Sequence, residues 1–166
     1  MMNADTIRQL FEYNYSTHRR VWDCMEHITD AQFVEEVPYS LGSIRNHIVH
    51  LMTVDSRWLG RLQAAPLTER LDPADFPTRA AARQKWDTVE AAMLAYAAGL
   101  RDDQLFESVE FDMPHRGGLK RHLRWEILSH IVNHGTEHRA QILPILHRLG
   151  APTFEQDFMI YLWGKG

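Results

Sequence analysis

Residues 123–150, LRWEILSHIVNHGTEHRAQILPILHRLG, carry both the periodicity and the polar pattern on which the reading of this chain turns. The stretch predicts a helix from about Leu123 to Leu149, closed by Gly150 with Pro152 just beyond. Pro144 lies inside it and is expected to kink the last turns. His130, His134 and His138 stand four residues apart, and Arg139 follows the last of them. Side chains four apart on a helix are offset by about 40° and about 6 Å, so they lie one above the other. His134 and His138 can therefore direct imidazole nitrogens at one point about 2 Å from each, as zinc or nickel requires. Three such residues span about 12 Å, so one end histidine must do something else; with His134 and His138 as the ligands, His130 lies a turn too far and takes a supporting or pocket-lining role. Glu137 stands off the stripe and does not follow the first histidine, so it is not the hydrolytic base of a zinc-peptidase helix.

Working outward, apolar residues at Ile7, Leu10, Val21, Met25 and Ile28 predict a first long helix over roughly 3–28. TDAQF (29–33) reads as a break with a fresh N-cap, and Pro38 stops the chain from continuing as helix. Ser43 is placed to cap a second helix, SIRNHIVHLMTVDSRWLGRL (43–62), whose apolar face is Ile44, Ile48, Leu51, Trp58 and Leu62. Pro66, Pro73 and Pro77 punctuate a loop. Thr78 then caps an alanine-rich third helix that Gly99 ends. SVEFDMPHRGGLKRHL (108–123) alternates and then turns at Pro114 and Gly117-Gly118, which predicts a short hairpin or an extended loop. FEQDFMIYLW (154–163) closes the chain as a short helix or strand. Four long helices with mostly short connections imply an all-α, antiparallel four-helix bundle, one domain over residues 1–166, with the extended hairpin before the last long helix.

Composition narrows the function classes. The 166 residues are 45% hydrophobic and 24% charged, a globular balance. A formal charge of −4 and scattered arginines argue against a general nucleic-acid binder. Cys24 is the single cysteine, which excludes an internal disulfide framework and a cysteine-rich zinc site and fits a reducing compartment. No apolar run approaches the roughly 20 residues needed to span a bilayer, and the N-terminus lacks the pattern of a signal peptide. A cytoplasmic protein is expected.

Sites inside bundles take ligands from facing helices, so the second helix supplies the remaining donor. His50 falls toward the Leu51, Val54 and Trp58 side, and His47, one turn back, is close enough to compete. A His50–His134–His138 set leaves a coordination position open for water or substrate, the pattern of a catalytic metal. Asp55, Glu126 and Glu137 are candidate acceptors behind the ligating rings. Tyr15 and Asp55 are weaker candidates for proton handling. Arg139 can hold an anionic group, although a structural ion pair is the favoured reading. His18, His27, His115, His122 and His147 read as ordinary surface or core residues. Trp22, Trp58, Trp86 and Trp125 read as packing, and Met25, Met52 and Met93 as adaptable core filler. Asp157 and Tyr161 read as anchors of the tail.

These elements together resemble the DinB (damage-inducible) family, also called DinB/YfiT-like. The likeness rests on SIRNHIVHLMTVDSRWLGRL and HIVNHGTEHRAQI, on LFEYNYSTHRRVWDCMEHITDAQF near the start, and on LGAPTFEQDFMIYLW at the end. The H-x-x-x-H-R-x-Q element is its most specific part. Ala140 departs from the glycine the family often has after the arginine. The resemblance implies a four-helix bundle, commonly homodimeric, with a divalent metal on three histidines, matched here to His50, His134 and His138. It implies a thiol S-transferase using a low-molecular-weight thiol, or a hydrolase. The alternative is a non-catalytic, stress-associated protein that binds a metal or a small molecule.

Overall fold

The computed structural model describes residues 2–164. Among them are six helices and one two-stranded hairpin: α1 Ala4–Met25, α2 Asp30–Val34, α3 Ile44–Leu62, α4 Arg79–Ala98, β1 Ser108–Met113, β2 Gly118–Leu123, α5 Arg124–Arg148 and α6 Phe158–Trp163. The fold is mostly helical. α1 packs against α4 and α5, and α3 packs against the same two helices.

Local chemistry sets the element ends. The side chains of Asn3, Thr29, Ser43 and Thr78 each accept a backbone N–H at the start of a helix. These bonds satisfy donors that have no partner within the helix. The caps at Ser43 and Thr78 and the fresh start at Thr29 match the sequence reading. α1 stops at Met25, short of the expected Ile28, because the chain turns there to re-enter helix under its Thr29–Gln32 capping box. Gly150 adopts φ +80 after α5, a conformation open mainly to glycine. The tail resolves as helix, with Asp157 as N-cap and the Tyr161 ring edge-on to Tyr13 at 5.3 Å.

The helices meet over one core. Trp22, Trp86, Met25, Met52 and Met93 are buried in it, as their spacing implies. Trp58 and Trp125 are half-buried and pack against its margin. The hairpin pairs Phe111 with Lys120 and Val109 with His122, antiparallel, and lies on α3 and α5.

One glycine decides how closely α1 and α5 approach. A Cβ on Gly135 would stand 2.3 Å from Asn14 Oδ1 and 3.0 Å from His18 Nε2. Neither neighbour is free to retreat, because Asn14 and His18 are themselves 1% exposed. Gly135→Ala is therefore expected to destabilise the fold by about 2 kcal/mol, despite alanine's better helix propensity. Urea unfolding reads this directly, and an unchanged midpoint would contradict the close contact.

Candidate metal centre

α3 and α5 present two histidines each to one another. His50 Nε2 lies 3.2 Å from His134 Nε2, and His138 Nε2 lies 3.1 Å from the same atom. One ligand nitrogen from each of His50, His134 and His138 lies within 4.8 Å of the others, close enough to hold a metal ion. His47, wholly buried, does not join this group but sits behind it, with its Nδ1 3.0 Å from His138 Nδ1. The structure thus separates two residues that the sequence left in competition. His50 faces the shared point, and His47 contacts the far side of the His138 ring.

The donor set suits a cation. His134 Nε2 has two imidazole nitrogens against it, and in a neutral ring it offers them a single lone pair or a single proton. That nitrogen can serve both neighbours only through a shared, bent hydrogen bond, whereas one cation between the three nitrogens can face all of them. Ligands about 2.0–2.1 Å from a tetrahedral ion stand about 3.3–3.4 Å apart, close to the two spacings at His134 Nε2, while the third pair, His50 and His138, lies within 4.8 Å. Burial pushes the imidazoles toward the neutral form that ligation needs. It carries His134 down to about 3 and His138 to about 4, with the neighbouring rings adding to the effect. His47 falls to about 4 for the same reasons. His50 is lowered by burial and by Arg70, against an opposing pull from Glu137.

A cleft of about 500 Å³ reaches the cluster at His50 and is bordered also by Asn46, Thr53 and Arg70. His130 lies off the cluster, its ring centroid 5.7 Å from that of His134 and 5.4 Å from that of Trp58.

Several supporting residues differ from the sequence reading. Asp55 does not back a ligand ring but accepts the Tyr15 hydroxyl at 2.7 Å, both groups buried. Glu126 accepts the Leu123 N–H at 2.9 Å and lies beside His122. Glu137 is exposed and acts on the histidines through its charge. The neighbour behind His138 is instead another histidine, signalled in the sequence only by the spacing of His47 and His50 on one helix. Arg139 is fully buried and makes no ion pair among the described residues. Its Nη1 donates to Asn14 Oδ1 at 2.5 Å, its Nε to Gln156 at 2.9 Å and its Nη2 to Thr136 at 3.0 Å. Burial lowers its pKa to about 10. His18 is also buried, with neither ring nitrogen hydrogen-bonded, and burial holds it well below its usual pKa.

The family model described as DinB family matches residues 1–165. The chain belongs to the DinB family. It is 24% identical over 165 residues to Protein DinB of Bacillus subtilis, covering 96% of this chain and 95% of that protein. Among solved structures, a DinB-like protein from Bacillus cereus superposes with a TM-score of 0.72 at 18% identity, covering 92% of this chain and 98% of that one. A conserved protein from Enterococcus faecalis gives 0.66 at 12% identity, covering 88% and 96%. These structural likenesses bear on the fold alone. No helix among the described residues of this DinB-family chain is long and apolar enough to cross a membrane.

The Tyr15–Asp55 pair makes a pH-dependent contribution to stability. Burial raises the Asp55 carboxyl to about 7, against the Tyr15 hydrogen bond and Arg139, which pull it down. The unfolded carboxyl ionises near pH 4. The folded state therefore holds the extra proton, so this contribution is full below about pH 4 and lost as pH rises through 7. Asp55→Asn keeps an acceptor for Tyr15 and removes the ionisation. Its thermal midpoint is expected to gain on the parent between pH 4 and pH 8, and a difference independent of pH would contradict the assignment.

Proposed function

We propose that this protein is a metal-dependent enzyme of DinB type, one four-helix-bundle domain over residues 1–166, in which His50, His134 and His138 hold a divalent zinc or nickel ion. The observation that carries the reading is the convergence of three Nε2 atoms from two helices on one point, beside an open cleft. The reaction we favour is S-transfer from a low-molecular-weight thiol to an electrophile, with hydrolysis of a small substrate as the related possibility. The bound cation would supply Lewis acidity that lowers the pKa of a thiol or water.

The protein's own residues do the rest. His47 is placed to fix the His138 ring through its Nδ1, setting which nitrogen faces the cluster. Arg70, on the cleft wall with His50, offers a positive charge to the anionic part of a thiol or substrate. Tyr15 and Asp55 are occupied with each other, and Arg139 with the core, so none of the three has a role at the reacting atoms in this reading. A homodimer fits the exposed apolar residues Met159, Ile160 and Trp163 on α6, and a monomer mass in sedimentation would remove that part.

Metal analysis of protein purified without chelator tests the centre. One divalent ion per chain is expected, lost in His134→Ala. His47→Ala is expected to keep the stoichiometry while weakening affinity about 10- to 100-fold, the usual cost of losing a residue that orients a ligand. Absence of a bound ion, or equal binding by His134→Ala, would refute the site.

A further inference from the structure

Beneath the hairpin lies a second cavity, of about 440 Å³, a volume suited to a small molecule. α3 contributes Trp58, β1 contributes Phe111 and Met113, and α5 contributes Ile127 and His130. The antiparallel register explains the hairpin's share. Phe111 opposes Lys120, and residues two apart share a face, so Phe111, Met113 and Lys120 all project toward the helices. The rings of Trp58 and Phe111 meet edge to face at 5.1 Å.

The charge around these rings is one-sided. The Arg61 guanidinium lies 4.6 Å from the Trp58 ring centroid and 5.4 Å from that of Phe111. Its Nε is buried without a hydrogen-bond partner, and its Nη2 reaches only the Met113 sulfur at 3.2 Å. Arg61 stands behind the two lining rings, and Arg116 and Lys120 are the cations of the lining itself. None of the three has a carboxylate partner among the described residues. Glu126 is the lining's one acid, and it is engaged by the Leu123 N–H and His122. A positively charged ligand would be repelled here, and a neutral one would leave the half-buried guanidinium uncompensated. An anion on a flat apolar body answers both features, with the ring among Trp58 and Phe111 and the charge against Arg61 and Lys120.

We propose that this cavity binds an aromatic carboxylate of one or two rings. His130 joins the cavity to the histidine cluster, since its ring lies 5.4 Å from Trp58 and 5.7 Å from His134. The ligand is then the electrophilic substrate, held on the His130 side of the cluster, while the Arg70 cleft borders His50. That last assignment rests on the function proposed above; the binding itself does not.

Calorimetric titration of the metal-loaded protein tests it with naphthoate, with naphthylmethanol (the same rings without charge) and with hexanoate (charge without rings). Naphthoate is expected to bind at least about tenfold more tightly than either. Arg61→Gln and Lys120→Gln are each expected to weaken naphthoate about three- to tenfold while leaving naphthylmethanol unchanged, which also shows that the cavity is still folded. Phe111→Leu should weaken both ring compounds. Equal affinity for naphthoate and naphthylmethanol, or indifference of naphthoate to both charge removals, overturns the proposal. Repeating the titration with His134→Ala separates the two sites. Retained naphthoate binding in a protein that has lost its metal supports the cavity. Binding that disappears with the metal means the carboxylate sat on the histidine cluster, and overturns it. Naphthoate binding to a parent protein that takes up no metal would refute the metal centre and leave the cavity standing.

Discussion

The buried Arg139 sets the relation between α1 and α5. A guanidinium removed from water is tolerated only when its donors are matched, and here Asn14, Gln156 and Thr136 match all three nitrogens. Asn14 belongs to α1, Thr136 to α5 itself, and Gln156 to the segment leading into α6. Gly135 removes the side chain that would hold the helices apart at that level. With α5 fixed in rotation by this contact, His134 and His138 face α3, where His47 and His50 wait one turn apart. Any shift of α5 that relieved the arginine would also separate the four imidazoles.

The surroundings of the candidate centre favour neutral groups throughout. Histidines that would be largely charged in mildly acidic water are held neutral to about pH 4 or below, and Asp55 keeps its proton to about 7. In both cases burial is the leading cause. For the histidines the consequence is chemical, because metal uptake normally competes with protons on the ligands. Here the fold has already removed those protons near neutral pH. Without a cation, His134 Nε2 must share its one lone pair or proton between His50 and His138, a bent and weakened arrangement.

Much of this was legible in the sequence. Ser43, Thr78 and Gly150 bound their helices as their chemistry implies, and the DinB resemblance rested on motifs the family model matches over the whole chain. The i, i+4 spacing and the rule that one end histidine must stand apart followed from helix geometry; that it is His130 is seen in the grouping of His50, His134 and His138. What escaped was the identity of neighbours across the core. Periodicity says which residues face inward, but not which partner each one meets. Asp55 therefore looked like an acceptor for a ligand ring, although Tyr15 lies closer in space. Arg139 looked like half of an ion pair, although three neutral groups satisfy it. Trp58 packs against the core as its spacing implies, but spacing did not show that its outer side lines a cavity. The apolar face of α3 runs past the end of the core, and the hairpin closes over it to make that cavity.

The division of labour between His47 and His50 carries most of the chemistry, and X-ray absorption on the zinc- or nickel-loaded protein tests it most directly. Three imidazole nitrogens are expected at about 2.0–2.1 Å in the parent protein, three still in His47→Ala, and two in His50→Ala. A count that falls in His47→Ala and stays constant in His50→Ala would contradict the centre as assigned.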